Sequence, residues 1–188
     1  MLLSDKDIKI EIEKGNILIE GDGEIYLGPS SVDLHLDNFA KVLTKEASQT
    51  IDFIFVEGDS SKSFTERSGW DSIVINPGEF YILSTIEKIT LGDDIAAFVQ
   101  GRSSIARLGI NIHAAGFVDP GFSGNITLEV TNFTSIPIVI PKNTRICQLV
   151  FQYTCSPCDV PYNKKKDSKY MNQKGPTLTG IHKDYGNN

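Results

Sequence analysis

Short runs in which apolar and polar residues alternate recur along most of this chain. Val32-Asp-Leu-His-Leu36 alternates at period two, as a strand with one buried face does. Residues 16–20, 50–56, 72–75, 80–83, 87–91, 95–99, 126–130, 136–140 and 145–153 read as further short strands. Turn residues punctuate them at Gly21-Asp-Gly23, Gly28-Pro-Ser-Ser31, Asn76-Pro-Gly78, Gly92-Asp-Asp94 and Pro141-Lys-Asn143. Ser4, with Asp7 three residues on, reads as the N-cap and return partner of a short helix running to about Glu13. Residues 103–108 read as a helical turn, and the Ser-rich stretch 58–69 as a mobile excursion. This pattern predicts a mainly β fold, a barrel or sandwich with one or two short helices. From about Pro161 the chain turns polar and basic, which predicts that 161–188 is a C-terminal arm outside the core of a single 1–188 domain.

Composition narrows the function classes. A chain of 188 residues, 40% apolar and 22% charged, suits one soluble domain with a real core. No apolar run reaches the length of a membrane span, and the charged N-terminus lacks the apolar stretch of a secretory signal, so no membrane partner is expected. Three cysteines, Cys147, Cys155 and Cys158, are an odd number, which fits reduced thiols and a cytoplasmic location. A net charge of −6 argues against a nucleic-acid partner, which calls for a basic face. A local group of arginines can still hold a small anion.

The chemistry concentrates between Gln100 and Asn132. Arg102-Ser-Ser-Ile-Ala-Arg107 offers turn amides, two hydroxyls and two guanidiniums, a set suited to phosphate oxygens. The plainer reading is a loop whose arginines pair with surface carboxylates. Glu129 stands in Ile126-Thr-Leu-Glu-Val130, where alternation places it with Thr127 and opposite Leu128 and Val130. Such a carboxylate either faces solvent or serves as a general acid–base group in a site. Asp119, before Pro-Gly, either caps a turn or joins that site. Lying in one segment, the three features together favour a site. Cys155-Ser-Pro-Cys158 suggests zinc at first sight. Zinc deaminases, however, use His-x-Glu followed by Pro-Cys-x-x-Cys. Here His113 precedes Ala114-Ala115, the cysteine pair follows Thr154, and two thiols do not complete a tetrahedral site. No metal ligands are expected, and His35 and His182 read as structural or exposed.

Several further motifs fall in a fixed order. They are Leu3-Ser-Asp-Lys-Asp-Ile8, Pro29-Ser-Ser-Val-Asp-Leu34, Gly101-Arg-Ser-Ser-x-Ala-Arg-Leu-Gly109, Asp119-Pro-Gly-Phe-x-Gly124, Thr127-Leu-Glu129, Pro161-Tyr162, Lys169-Tyr170 and Gln173-x-Gly175. In these the chain resembles the dCTP deaminase family, within the trimeric dUTPase superfamily, over nearly its whole length. The resemblance implies a distorted, jelly-roll-like β-barrel of dUTPase type, a homotrimer, and active sites at subunit interfaces. It implies that Arg102, Ser103, Ser104, Ile105, Ala106 and Arg107 bind the triphosphate and orient the base, and that Asp119 holds the deoxyribose. Thr127, Leu128 and Glu129 would meet cytosine, and Tyr162, Lys169 and Gln173 would come from the closing arm. Glu129 would activate water against C4 with help from Ser103 and Arg107, with no catalytic zinc. Mg²⁺ would accompany the triphosphate.

The family has two branches. The branch that only deaminates usually reads Thr-Ala-His-Arg-Ile-Asp before the Pro-Gly turn; this chain reads Ala114-Ala-Gly-Phe-Val-Asp119. Gly116 and Phe117 resemble the branch that also cleaves the triphosphate, and the interval from Arg107 to Asp119 is one residue shorter than in many deaminases. Gln148, in Arg145-Ile-Cys-Gln-Leu149, is similar to a dUTPase pattern. The expectation is therefore a bifunctional enzyme taking dCTP to dUMP, with dUTP as intermediate. The alternatives are a deaminase releasing dUTP, a dUTPase, and a catalytically silent nucleotide-binding trimer.

Overall fold

In a computed structural model, residues 1–43, 63–113 and 115–185 are described. Helix α1 (Asp5–Glu13) opens as the sequence implies. The Ser4 hydroxyl accepts from the Asp7 amide, and the Asp7 carboxylate accepts from the Ser4 amide, so two otherwise unpaired N–H groups are satisfied. At its far end Glu11 is buried. Burial alone would push its carboxyl up, but hydrogen bonds from Lys14, Asn16 and Tyr153 outweigh that and hold it below the ordinary range.

The strands are β1 (Ile17–Glu20), β2 (Tyr26–Leu27), β3 (Val32–His35), β4 (Phe39–Leu43), β5 (Phe64–Ser68), β6 (Ser72–Ile75), β7 (Phe80–Leu91), β8 (Ile95–Gly101), β9 (Ile110–His113), β10 (Phe117–Val118), β11 (Ser123–Asn132), β12 (Ile138–Pro141) and β13 (Arg145–Tyr153). Helix α2 (Ser103–Ala106) lies between β8 and β9, and a 3₁₀ turn (Ile181–Asp184) lies near the end of the chain. Among the described residues one sheet runs β5-β4-β7-β11-β9, with β1 on the same edge of β7 as β4. A second runs β10-β8-β13-β3-β2, and β12 pairs with β6. Both large sheets feed one core: Leu83, Ile89, Leu128 and Val130 from the first pack with Leu34, Val99, Leu149 and Phe151 from the second.

Four expectations change. Residues 80–83 and 87–91 are halves of one twelve-residue strand, β7. The polar pair Ser84-Thr85 between them is fully buried. Thr85 is accommodated because its hydroxyl donates to the Glu87 carbonyl and accepts the Ile126 amide. That amide sits at a register shift in β11 between Asn125 and Thr127, the kind of irregularity that re-aims a strand beside a site. The excursion over 58–69 contains β5, paired to β4; its first part and the strand expected over 50–56 lie outside the described residues. The strand expected over 136–140 starts at Ile138. The fourth change concerns the arm. From Pro161 it packs back onto the fold, with Pro161, Pro176 and Gly180 buried and Tyr162 against the core.

Candidate active site

The arm follows β11 because that strand has a vacant edge. β9 pairs only with Glu129 to Asn132, so the first half of β11 needs other partners on that side. The arm supplies them. The Asn125 amide donates to the Gln173 carbonyl at 3.1 Å, Gln173 Nε2 donates to the Asn125 carbonyl at 2.7 Å, and the Asn172 amide donates to the Ser123 carbonyl at 2.7 Å. Farther on, the Thr177 amide donates to the Thr127 hydroxyl at 3.3 Å. Tyr162 ties the arm's first loop: its hydroxyl accepts the amides of Lys169 and Tyr170 at 3.1 and 3.0 Å. Its ring lies 6.0 Å from that of Phe122.

Between arm and sheet lies a cleft of about 720 Å³, ample for a nucleotide. Glu129 and Thr127 reach it from β11, Asp119 from the turn before β11, and Gly116 and Phe117 from the start of β10. Tyr162, Lys169 and Gln173 reach it from the arm. Leu128 also borders the cleft, although its side chain is 1% exposed and belongs to the core. Glu129 and Thr127 share one face, as the alternation requires, and both are half-buried. The turn at Asp119 is closed by backbone, its carbonyl accepting the Phe122 amide at 3.1 Å, so the turn does not need the carboxylate.

The remaining expected residues are elsewhere. Arg102 to Arg107 form α2 and its caps. Ser103, Ser104, Ala106 and Arg107 are exposed and Ile105 is half-buried against the core. This segment leads into β9, whose first residue pairs with Asn132, and the Phe133 amide donates to the Gly109 carbonyl. Glu129 is three residues back along β11, about 10 Å. None of these six residues borders the cleft. Gln148 does not border it either. It pairs in register with Asp33 and Gln100 on the second sheet, and its side chain accepts the Ser31 hydroxyl at 3.3 Å. The expected residues thus divide into a cleft group and a group outside it.

The charge of the cleft is informative. Among its lining residues Asp119, Glu129, Asp167 and Asp184 are acidic, and Lys165 and Lys169 are basic. Lys169 is ion-paired to Asp184, and the hydrogen bond it donates to that carboxylate raises its pKa, keeping it charged. Sequence reasoning did not single out Asp184, nor the apolar wall of Phe64, Phe80, Ile82 and Val99. Phe80 and Ile82 stand directly opposite Thr131 and Glu129, a fact that needs the β7–β11 register.

Packing alone calls for a glycine at position 116. A Cβ there would lie 2.7 Å from the Val99 carbonyl oxygen and 3.3 Å from the Val99 Cβ. The Val99 amide donates to the Gly116 carbonyl at 2.7 Å, so the two backbones are in contact. Between Gly116 and Asp119 runs β10, paired to β8. Gly116→Ala is expected to cost about 1–3 kcal/mol through overpacking, read as a lower melting temperature. An unchanged melting temperature would mean that the wall yields freely.

Among the described residues no three His, Cys, Asp or Glu side chains gather as metal ligands. Cys155 is exposed, Cys158 half-buried and both are free, while burial pushes the Cys147 thiol well up.

The arrangement of strands is that of the dUTPase-like proteins. It overlays the 2'-deoxycytidine 5'-triphosphate deaminase of Agrobacterium tumefaciens with a TM-score of 0.63 at 23% identity, over 81% of this chain and 48% of that one. It overlays the EIAV dUTPase at 0.50 and 19% identity, over 80% of this chain and 98% of that one. The dCTP deaminase-like family model matches residues 2–154, and the chain belongs to that family. It is 43% identical over 190 residues to the dUMP-forming dCTP deaminase of Methanosphaera stadtmanae, across 98% of this chain and 95% of that protein.

Proposed function

We propose that this protein is a dUMP-forming dCTP deaminase, hydrolysing dCTP to dUMP, ammonia and diphosphate. The observation that carries the reading is the near-full-length identity to an enzyme of that description, in a chain whose cleft holds Glu129 over an apolar wall. Glu129 takes a proton from a water that adds to C4 of cytosine and delivers one to the departing ammonia. Thr127 and the neighbouring backbone orient the base, and Asp119 holds the deoxyribose. A second water then attacks the α-phosphorus beside Gly116 and diphosphate leaves. Phe117 packs edge-on against Phe98, 5.3 Å between ring centres, and steadies that wall. Tyr162, Lys169 and Gln173 belong to an arm that closes over the nucleotide and excludes bulk water.

The active form is a homotrimer of distorted barrels with shared sites. The support is electrostatic: one chain's cleft has four carboxylates and two lysines, a poor host for a triphosphate. The Arg102–Arg107 segment of a neighbouring chain supplies the missing cations, with Ser103 and Arg107 positioning the attacking water. Gln148 comes with that segment. Mg²⁺ enters with the substrate, held by phosphate oxygens and water, which requires no ligand set from the protein. No helix among the described residues is long and apolar enough to cross a membrane, and we place the enzyme in the cytoplasm from its odd number of thiols. Incubation with dCTP and Mg²⁺, followed by chromatography, is expected to yield dUMP and diphosphate; dUTP without diphosphate would identify an enzyme that stops at deamination.

A further inference from the structure

One carboxylate that the proposed reaction does not use is paired to an arginine that it does. Asp33, on β3, faces Tyr26 of β2 and Gln148 of β13 in register. Its Oδ2 accepts from Arg102 Nε at 3.1 Å and from Arg145 Nη1 at 3.4 Å. Arg102 Nη1 in turn donates to the Arg145 carbonyl at 2.9 Å. The guanidinium of Arg145 lies 4.7 Å over the Tyr26 ring, and that ring leans on His35 at 5.3 Å. His35 Nδ1 is 2.5 Å from Glu87 Oε1, and the His35 amide donates to Glu87 Oε2. The Asp33 carboxylate is thus fixed by its neighbours rather than free to follow a mobile arginine.

We infer that Asp33 is a positioning residue for Arg102, setting the direction in which that guanidinium meets the substrate phosphates. An arginine side chain has several rotatable bonds, and fixing them only on binding costs affinity. Here the Nε edge is held by Asp33 and one Nη1 hydrogen by a backbone carbonyl. The plane is set before substrate arrives, and the outer donors remain for phosphate oxygens. An exposed ion pair would count for little. These two side chains are only 16% and 23% exposed, so the pair is partly shielded from water. Arg102 is also the N-cap residue of α2, with no side-chain capping bond, so holding its side chain serves the α2 segment's contact with substrate and not the helix end. The inference rests on the reading of Arg102 as a phosphate-binding residue.

A double-mutant cycle tests it, with dCTP kinetics and melting temperatures measured on wild type, Asp33→Asn, Arg102→Ala and the double variant. Asp33→Asn is expected to raise KM for dCTP about tenfold while kcat falls much less, with no further rise in KM when it is added to Arg102→Ala. Asp33→Glu, which keeps the charge, is run beside it and should regain most of the lost affinity; a role in packing alone would leave Glu as harmful as Asn. An unchanged KM in Asp33→Asn, or effects on KM that multiply in the double variant, overturns the inference while leaving Arg102 as a phosphate ligand. An unchanged KM in Arg102→Ala overturns the reading of Arg102, and the positioning role with it.

Discussion

Glu129→Gln is expected to lower deamination by a factor of about 10²–10⁴, the usual contribution of a general acid–base group. Glutamine keeps the shape and much of the hydrogen bonding, so nucleotide affinity should change little. The geometry favours this separation. Glu129 sits in mid-strand, paired to Ile82 on one side and His113 on the other, so its backbone does not depend on the charge. Its side chain shares the cleft with Phe80, Ile82 and Val99. Single-turnover rates with labelled dCTP, alongside equilibrium binding of the nucleotide, measure the two quantities separately. A variant deaminating at near wild-type rate would remove Glu129 from the chemistry.

The second large effect concerns the sharing of sites. Arg107→Ala and Glu129→Gln chains should each be nearly inactive as uniform assemblies. Mixed trimers should regain activity, because some sites then draw Glu129 from one chain and Arg107 from the other. Random equal mixing restores about a quarter of the sites in a closed ring of identical contacts. The physical reason is the separation already described: Arg107 is exposed beyond the far end of β11 and does not border the cleft that holds Glu129. Assemblies shown to be mixed by differential tagging, yet no more active than the parents, would place the whole site within one chain.

Local signals were legible in the sequence wherever the cause was local. The Ser4–Asp7 capping box, strand β13 and the alternation that puts Glu129 beside Thr127 depend on neighbours in the chain, and each was found. Features with a distant cause were harder to read. Ser84-Thr85 looked like the end of a strand because polar residues rarely fill a core; Thr85 fits because Ile126, forty-one residues on, donates to its hydroxyl. β6 and β7 are neighbours in sequence across the Asn76-Pro-Gly78 turn, yet β6 pairs with β12. Gly116 stands where the backbone of Val99 leaves no space for a Cβ, a closeness that only the pairing of β8 with β10 creates. The cleft group of residues lies together because the arm docks along β11, a pairing with no periodic signature in so polar a segment. Asp184 carries no sequence signal for the same reason: only the fold of the arm brings it to Lys169.

The central claim is that one site carries dCTP through to dUMP. The direct test supplies labelled dCTP and Mg²⁺ together with an excess of unlabelled dUTP, and follows the label. If the uracil nucleotide stays bound between the two hydrolyses, label appears in dUMP, with diphosphate, without passing into the dUTP pool. Label that collects in free dUTP, with no matching diphosphate, would contradict the account and leave an enzyme that deaminates dCTP and lets the product go.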